Sequence, residues 1–361
     1  MPVPIIDAVS PDRLEDLLQR LRRTLSARSL WSTDASRGVP GDMMDALIDR
    51  WATDYDWRDH EDRIRSLPWV ERGAGRSSLR MIHRPVPSSS APAVVLLHGW
   101  PDSVLRFERV IPLLDDFHVV VPALPGFPFA PALKEPISAN GIATLIADAM
   151  AELGYQHYVV SGGDVGGTVA EIMAAAYPDR VSALHLTNLS PARAATVDRR
   201  TLPVDAVDYL DRSTQWRQKN GGFVAEQSTR PNTLIAALSD SPAGLLAWIV
   251  EKLIAWSDPI DGTSAFSPDE LLTCVAAYWL TGTIGTSLST YVQPARLPER
   301  IEVPTVFSAF GQDIMPAPRS FVETFVDLEQ FVEHERGGHF AAWERPAAYA
   351  ADVRLTASVA S

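Results

Sequence analysis

Cysteine is almost missing from this chain: Cys274 stands alone among 361 residues. A lone thiol cannot close an internal disulfide or complete a thiolate metal cluster, so nothing points to an oxidising compartment. An excess of basic residues is missing as well. The formal net charge is −13, which disfavours nucleic acid, because polyanion binding needs clustered Lys and Arg. Long apolar runs are the third absence. Apolar runs such as Ala93–Leu97 and His118–Val121 fall far short of the ~18 to 20 residues a membrane helix needs. Met1 to Arg22 carries Asp, Glu and Arg in place of an apolar signal core. The expectation is a cytoplasmic, soluble protein with neither a nucleic-acid nor a membrane partner.

What is present suits a large globular core. Apolar residues make up 46% of the chain, and its length fits one large α/β domain carrying insertions. Residues 1 to about 90 read as a helical, Trp-rich preamble. Asp12–Leu25 has helical apolar spacing at Leu14, Leu17, Leu18 and Leu21, and a second amphipathic piece runs over Asp42–Asp54 after the Gly38–Gly41 break. Trp51, Trp57 and Trp69 are read as packing residues.

From Leu79 short apolar runs alternate with helical segments. The strand candidates are Leu79–His83, Val94–Leu97, His118–Val121, Tyr158–Val160, Ala183–Leu186, Thr305–Phe310 and Gln330–Glu333. Helical patterns over Ile142–Leu153 and Val169–Ala176 separate some of them, which predicts a mostly parallel sheet covered on both faces. Between Leu189 and about Pro298 the pattern is largely helical. An insertion there, after the sixth strand, would lie as a lid over the carboxyl ends of the strands.

The sharpest motif is Ser161-Gly162-Gly163-Asp164-Val165-Gly166-Gly167, between an apolar strand and a helix. Small residues around a central polar one allow the tight strand-to-helix turn of a nucleophile elbow. A phosphate loop would need a lysine and a fuller glycine spacing; a plain helix cap stays open on this motif alone. An aspartate at the elbow would attack a saturated carbon and form an alkyl ester. Hydrolysing that ester takes a base and an oxyanion hole. His339, in Arg336-Gly337-Gly338-His339-Phe340, is the candidate base, and Asp313, just after the Thr305–Phe310 strand, is the candidate orienting acid. The order Asp164, Asp313, His339 is the nucleophile–acid–histidine order of the α/β-hydrolase fold. His98 and His185 fall off this pattern and are read as structural. His98-Gly99-Trp100-Pro101 follows a strand, and should bring the Trp100 amide beside that of Val165 to form the oxyanion hole.

Over essentially its whole length the chain resembles the microsomal-type epoxide hydrolases. The preamble is similar in Gly38-Val39-Pro40 and Tyr55-Asp56-Trp57. The lid is similar in Glu226–Pro231, Asp240–Leu245, Ala247–Lys252 and Tyr278–Thr283. The resemblance implies the α/β-hydrolase fold, opening of an epoxide to a vicinal diol, and an extension over 1–90. It further implies core segments over 91–190 and 299–361 and a helical lid over 191–298. No microsomal-type membrane anchor is present, so a soluble bacterial-type member is expected. No cofactor or metal is called for. The expected partners are a small-molecule epoxide and water, with a homodimer left open.

The resemblance also implies two lid tyrosines that hydrogen-bond and protonate the epoxide oxygen. Tyr291, thirteen residues beyond Tyr278, matches one. Phe223 stands after Gly221-Gly222 where the other belongs; it keeps the ring and loses the donor. Val165 replaces the Trp usual after the nucleophile, and Gly126-Phe127-Pro128-Phe129 carries a proline where a glycine is usual. Together with Trp100, Phe223 and Val165 would then line a reshaped, roomier site for a bulky or biosynthetic epoxide. Two other readings remain. A hydrolytic dehalogenase would use the same Asp–His chemistry, but Val165 lacks a halide-binding donor. A non-hydrolytic cyclase or binding protein is kept open by Phe223.

Overall fold

A computed structural model describes residues 5–24, 31–259 and 264–360. Eight strands among them form one sheet: β1 (Trp69–Arg72), β2 (Leu79–Arg84), β3 (Ala93–Leu97), β4 (His118–Pro122), β5 (Tyr158–Gly162), β6 (Val181–Leu186), β7 (Ile301–Phe310) and β8 (Val326–His334). Their order is β1-β2-β4-β3-β5-β6-β7-β8, with β1–β2 and β2–β4 antiparallel and the remaining pairs parallel. Central strands such as Ala93-Val-Val-Leu-Leu97 are apolar throughout because helices cover both faces of a parallel sheet. All seven anticipated strands are present. β1 was not anticipated, because its four residues bury only Trp69 on the sheet edge and carry little strand signal.

Among the described residues three α-helices precede the sheet: α1 (Pro11–Arg22), α2 (Gly41–Thr53) and α3 (Trp57–Arg65). Ser10 caps α1, Pro11 fits its first turn, and Leu17 and Leu21 are buried at helical spacing. Trp51, Trp57 and Trp69 are buried packing residues.

Two helices flank the sheet centre, α4 (Ala139–Glu152) and α5 (Val165–Ala176). Among the described residues seven α-helices lie between β6 and β7: α6 (Val204–Asn220), α7 (Gly222–Thr229), α8 (Pro231–Leu238), α9 (Pro242–Ala255), α10 (Pro268–Thr281), α11 (Ile284–Ser287) and α12 (Ser289–Val292). α10 is defined at both ends, by a Ser267/Glu270 capping box with Pro268 and by Gly282 in the left-handed conformation. Three further helices complete the chain, α13 (Arg319–Val322), α14 (Ala341–Glu344) and α15 (Pro346–Ser358).

The N-terminal helices hold the inserted helices in place. Arg13 donates to the Trp279 carbonyl (2.9 Å), Arg50 pairs with Asp269 (2.7 Å), and Tyr55 bonds Thr273 (3.0 Å). They thus anchor α10, which runs beside the segment carrying Trp100. Among the described residues no single helix is long and apolar enough to cross a membrane.

Candidate active site

Asp164 sits between β5 and α5 with φ 56° and ψ −128°. This is a costly backbone for a non-glycine residue, of order 1–3 kcal/mol, that persists only where its surroundings enforce it. Close packing enforces it here. A Cβ on Gly166 would lie 2.3 Å from the Leu97 carbonyl oxygen, so α5 can start against β3 only without a side chain there. The Asn188 side chain, just past β6, accepts from the Asp164 amide at 2.7 Å and braces the turn.

The two carboxylate oxygens of Asp164 face different partners. Oδ1 accepts from the Trp100 amide at 2.8 Å, and the Val165 amide also bonds the carboxylate. Oδ2 stands 3.4 Å from His339 Nε2. His339 Nδ1 in turn lies 2.8 Å from Asp313 Oδ1, on the turn after β7. Asp164, Asp313, His339, Trp100 and Val165 therefore converge, although they come from separate stretches of the chain.

Electrostatics follow from this geometry. Burial alone would lower the His339 imidazolium, but the charge of Asp313 and the bonds to Asp164 and Asp313 outweigh it and raise the pKa to about 10. Burial pushes the Asp164 carboxyl up, yet His339 and the Trp100 and Val165 amides hold it below its ordinary value. The resting pair is imidazolium beside carboxylate.

An aromatic cluster roofs this arrangement. Phe223 stacks on Trp100 (centroids 5.9 Å, 9° between planes) and lies 5.2 Å from Trp256, while Tyr291 meets Trp100 edge-on at 5.9 Å. Tyr291 is partly exposed, on α12. Burial and the Asp164 charge push its phenol well above the ordinary value, so it is held protonated.

His98 and His185 are structural. His98 is fully buried and accepts from the Leu124 amide (3.1 Å), its pKa lowered by burial to about 3; His185 links Ser161 and Ser308, lowered by burial to about 4. A cavity of about 450 Å³ opens between α3, the Asp102–Arg109 segment and α10. Neither Asp164, His339 nor Tyr291 lines it, so it is not the chamber of this site.

Sequence reasoning missed the residues that carry the loops. Asp258 accepts from Arg336 (2.8 Å) and from the Gly337 amide (2.7 Å), and Glu344 accepts from the Gly338 and Phe340 amides. The His339 amide donates to the Trp256 carbonyl at 2.8 Å. These bonds bind the histidine loop to the end of α9. Asp102 accepts from the Gly99 amide (3.0 Å) and pairs with Arg106, which donates to the His339 carbonyl (3.2 Å). The oxyanion segment and the histidine loop are thus tied together. No short spacing advertises these partners, which meet only in the fold.

Comparison with known proteins bears on family and fold. Residues 3–107 match the family model described as epoxide hydrolase N terminus, and residues 92–237 match the alpha/beta hydrolase fold. A Stigmatella aurantiaca protein, provisionally named an epoxide hydrolase, is 34% identical over 97% of this chain and 83% of its own length. Epoxide hydrolase 1 of Oryctolagus cuniculus is 30% identical over 95% of this chain and 86% of its own. The chain belongs to the epoxide hydrolase family. The structure of Aspergillus niger epoxide hydrolase superposes with a TM-score of 0.89 at 28% identity, covering 100% of this chain and 97% of that one. The α/β-hydrolase fold anticipated for this family member is therefore the fold observed.

Proposed function

We propose that this protein opens an epoxide to a vicinal diol through an ester on Asp164, using water and no cofactor. The observation that carries the reading is the division of the Asp164 carboxylate, with Oδ1 on the Trp100 amide and Oδ2 toward His339. Oδ2 attacks a ring carbon, the carbon–oxygen bond of the epoxide breaks, and Tyr291 gives its proton to the departing oxygen. Oδ1 becomes the ester carbonyl, already lying at the Trp100 amide that would stabilise it as an oxyanion.

Alkylation makes Asp164 neutral and removes one of the two anions that hold the His339 proton. His339 then releases that proton while the Tyr291 phenolate regains one from the medium. Neutral His339, oriented by Asp313, takes a proton from water as its oxygen attacks the ester carbonyl. The Trp100 and Val165 amides bind the charge that develops, each worth ~3 kcal/mol. Collapse expels the diol alkoxide, which takes the remaining hydroxyl proton and restores the Asp164 carboxylate beside protonated His339.

Residues 1–90 are read as the extension, 91–190 and 299–361 as the core and 191–298 as the lid. Valine at 165 leaves space beside the nucleophile, and the rings of Trp100, Phe223 and Trp256 offer apolar surface. Both features favour a bulky, apolar epoxide. A panel of aryl and polycyclic epoxides, followed by diol formation, tests the function. Diols with faster turnover of the larger members are expected; consumption of epoxide without diol would overturn it.

A further inference from the structure

Phe223 leaves the ring-opening half with a single phenol, and the side chain one helical turn further along α7 bears on that deficit. Gln227 lies on the same face of the helix, four residues on, and is fully buried. Its Oε1 accepts from the Trp248 indole N–H at 3.0 Å. An indole nitrogen only donates, so this bond sets the orientation of the amide and turns Nε2 away from Trp248. Nε2 is buried and has no hydrogen-bond partner of good geometry among the described residues. The amide lies against the Tyr291 phenol, whose helix α12 packs on α7.

A buried, unpaired amide donor is costly and calls for a use. An amide nitrogen cannot accept, so a bond made by Nε2 runs from Nε2 to the phenol oxygen. The phenol O–H is then not spent on Gln227. Lys252, whose Nζ lies 5.1 Å from the centroids of both Phe223 and Trp248, closes the other side of the group.

We propose that Gln227 is a positioning residue for Tyr291. Its Nε2 donates to the phenol oxygen as the ring opens, which directs the phenol O–H at the epoxide oxygen. The same bond stabilises the phenolate left behind, taking over part of the task of the hydroxyl absent at Phe223. This rests on the reading of Tyr291 as the proton donor.

The test is rapid-quench single turnover of styrene oxide, with ester on Asp164 and diol quantified separately. The proteins compared are wild type, Gln227→Glu, Gln227→Met, Tyr291→Phe and Tyr291→Phe/Gln227→Met. Gln227→Glu keeps the volume and the Trp248 bond but offers the phenol an acceptor that captures its proton. It should slow ester formation about 100-fold and leave ester hydrolysis within about threefold. Gln227→Met should slow ester formation about tenfold in the wild-type background and not at all in Tyr291→Phe. An equal loss in both backgrounds, or equal slowing of both steps, overturns the proposal while leaving the Tyr291 reading intact. Unchanged ester formation in Tyr291→Phe overturns the Tyr291 reading itself. Should Gln227→Met fail to fold, Gln227→Glu alone decides: ester formation at the wild-type rate overturns the proposal.

Discussion

The Trp100 amide holds one oxygen of Asp164 at 2.8 Å and leaves the other facing His339, so the two carboxylate oxygens differ before any substrate arrives. In the proposed mechanism the held oxygen becomes the ester carbonyl and the other is the nucleophile. His339 stands 3.4 Å from that second oxygen, where the proposed mechanism needs its base.

Removing the base should separate the two half-reactions. His339→Gln is expected to form the Asp164 ester and then stall, with turnover falling by ~10² or more. Mass spectrometry of the peptide containing Asp164 after exposure to epoxide should show the added mass. A variant that turns over normally would remove His339 from the hydrolytic step.

Restoring the second phenol should help. Phe223 stacks on Trp100, and under the proposed mechanism a hydroxyl there adds a donor worth about 1–3 kcal/mol in ring opening. Phe223→Tyr is therefore expected to speed ester formation roughly 10- to 100-fold on generic epoxides. Stopped-flow tryptophan fluorescence checks this; no gain would mean that the site has been rebuilt around the missing hydroxyl.

Two glycines should fail in different ways. A Cβ on Gly99 would lie 2.4 Å from Asp164 Oδ1, so Gly99→Ala should displace the carboxylate and cut turnover by ~10² with a modest loss of stability. A Cβ on Gly166 meets backbone oxygens of Leu97 and His98 at 2.3 and 2.5 Å, which cannot yield, so Gly166→Ala should cost about 3 kcal/mol. Thermal melts beside steady-state rates separate the two outcomes.

Much of this site was legible in the sequence because chemistry and local conformation coincide there. Asp164, Asp313, His339 and Trp100 each follow a strand end and sit in short glycine-bearing or polar turns. The braces were not legible. Asn188, Asp258, Glu344 and Gln227 find their partners across the fold, and an isolated Asn or Gln carries no local pattern. β1 escaped for a related reason: a short edge strand burying one side chain has no periodicity to read.

The pH dependence follows from the anions around His339. Its imidazolium is raised to about 10, above an unfolded value of about 6.5. Its stabilising contribution is therefore complete below about pH 6.5 and is lost as the pH rises toward about 10. The stability advantage of wild type over His339→Gln should shrink across that window in urea titrations. In Asp164→Ala, which mimics the neutral ester, the imidazole should titrate below its wild-type value by NMR. An unchanged value would contradict the proposed release of the base by alkylation.

The most direct measurement is a single turnover with enzyme in excess over epoxide in heavy-oxygen water. An ester on Asp164 requires the diol of that first turnover to take its new oxygen from the carboxylate, while the label enters the side chain of Asp164. Unlabelled diol and a heavier Asp164 peptide are the predicted result; labelled diol with an unlabelled Asp164 would contradict the account.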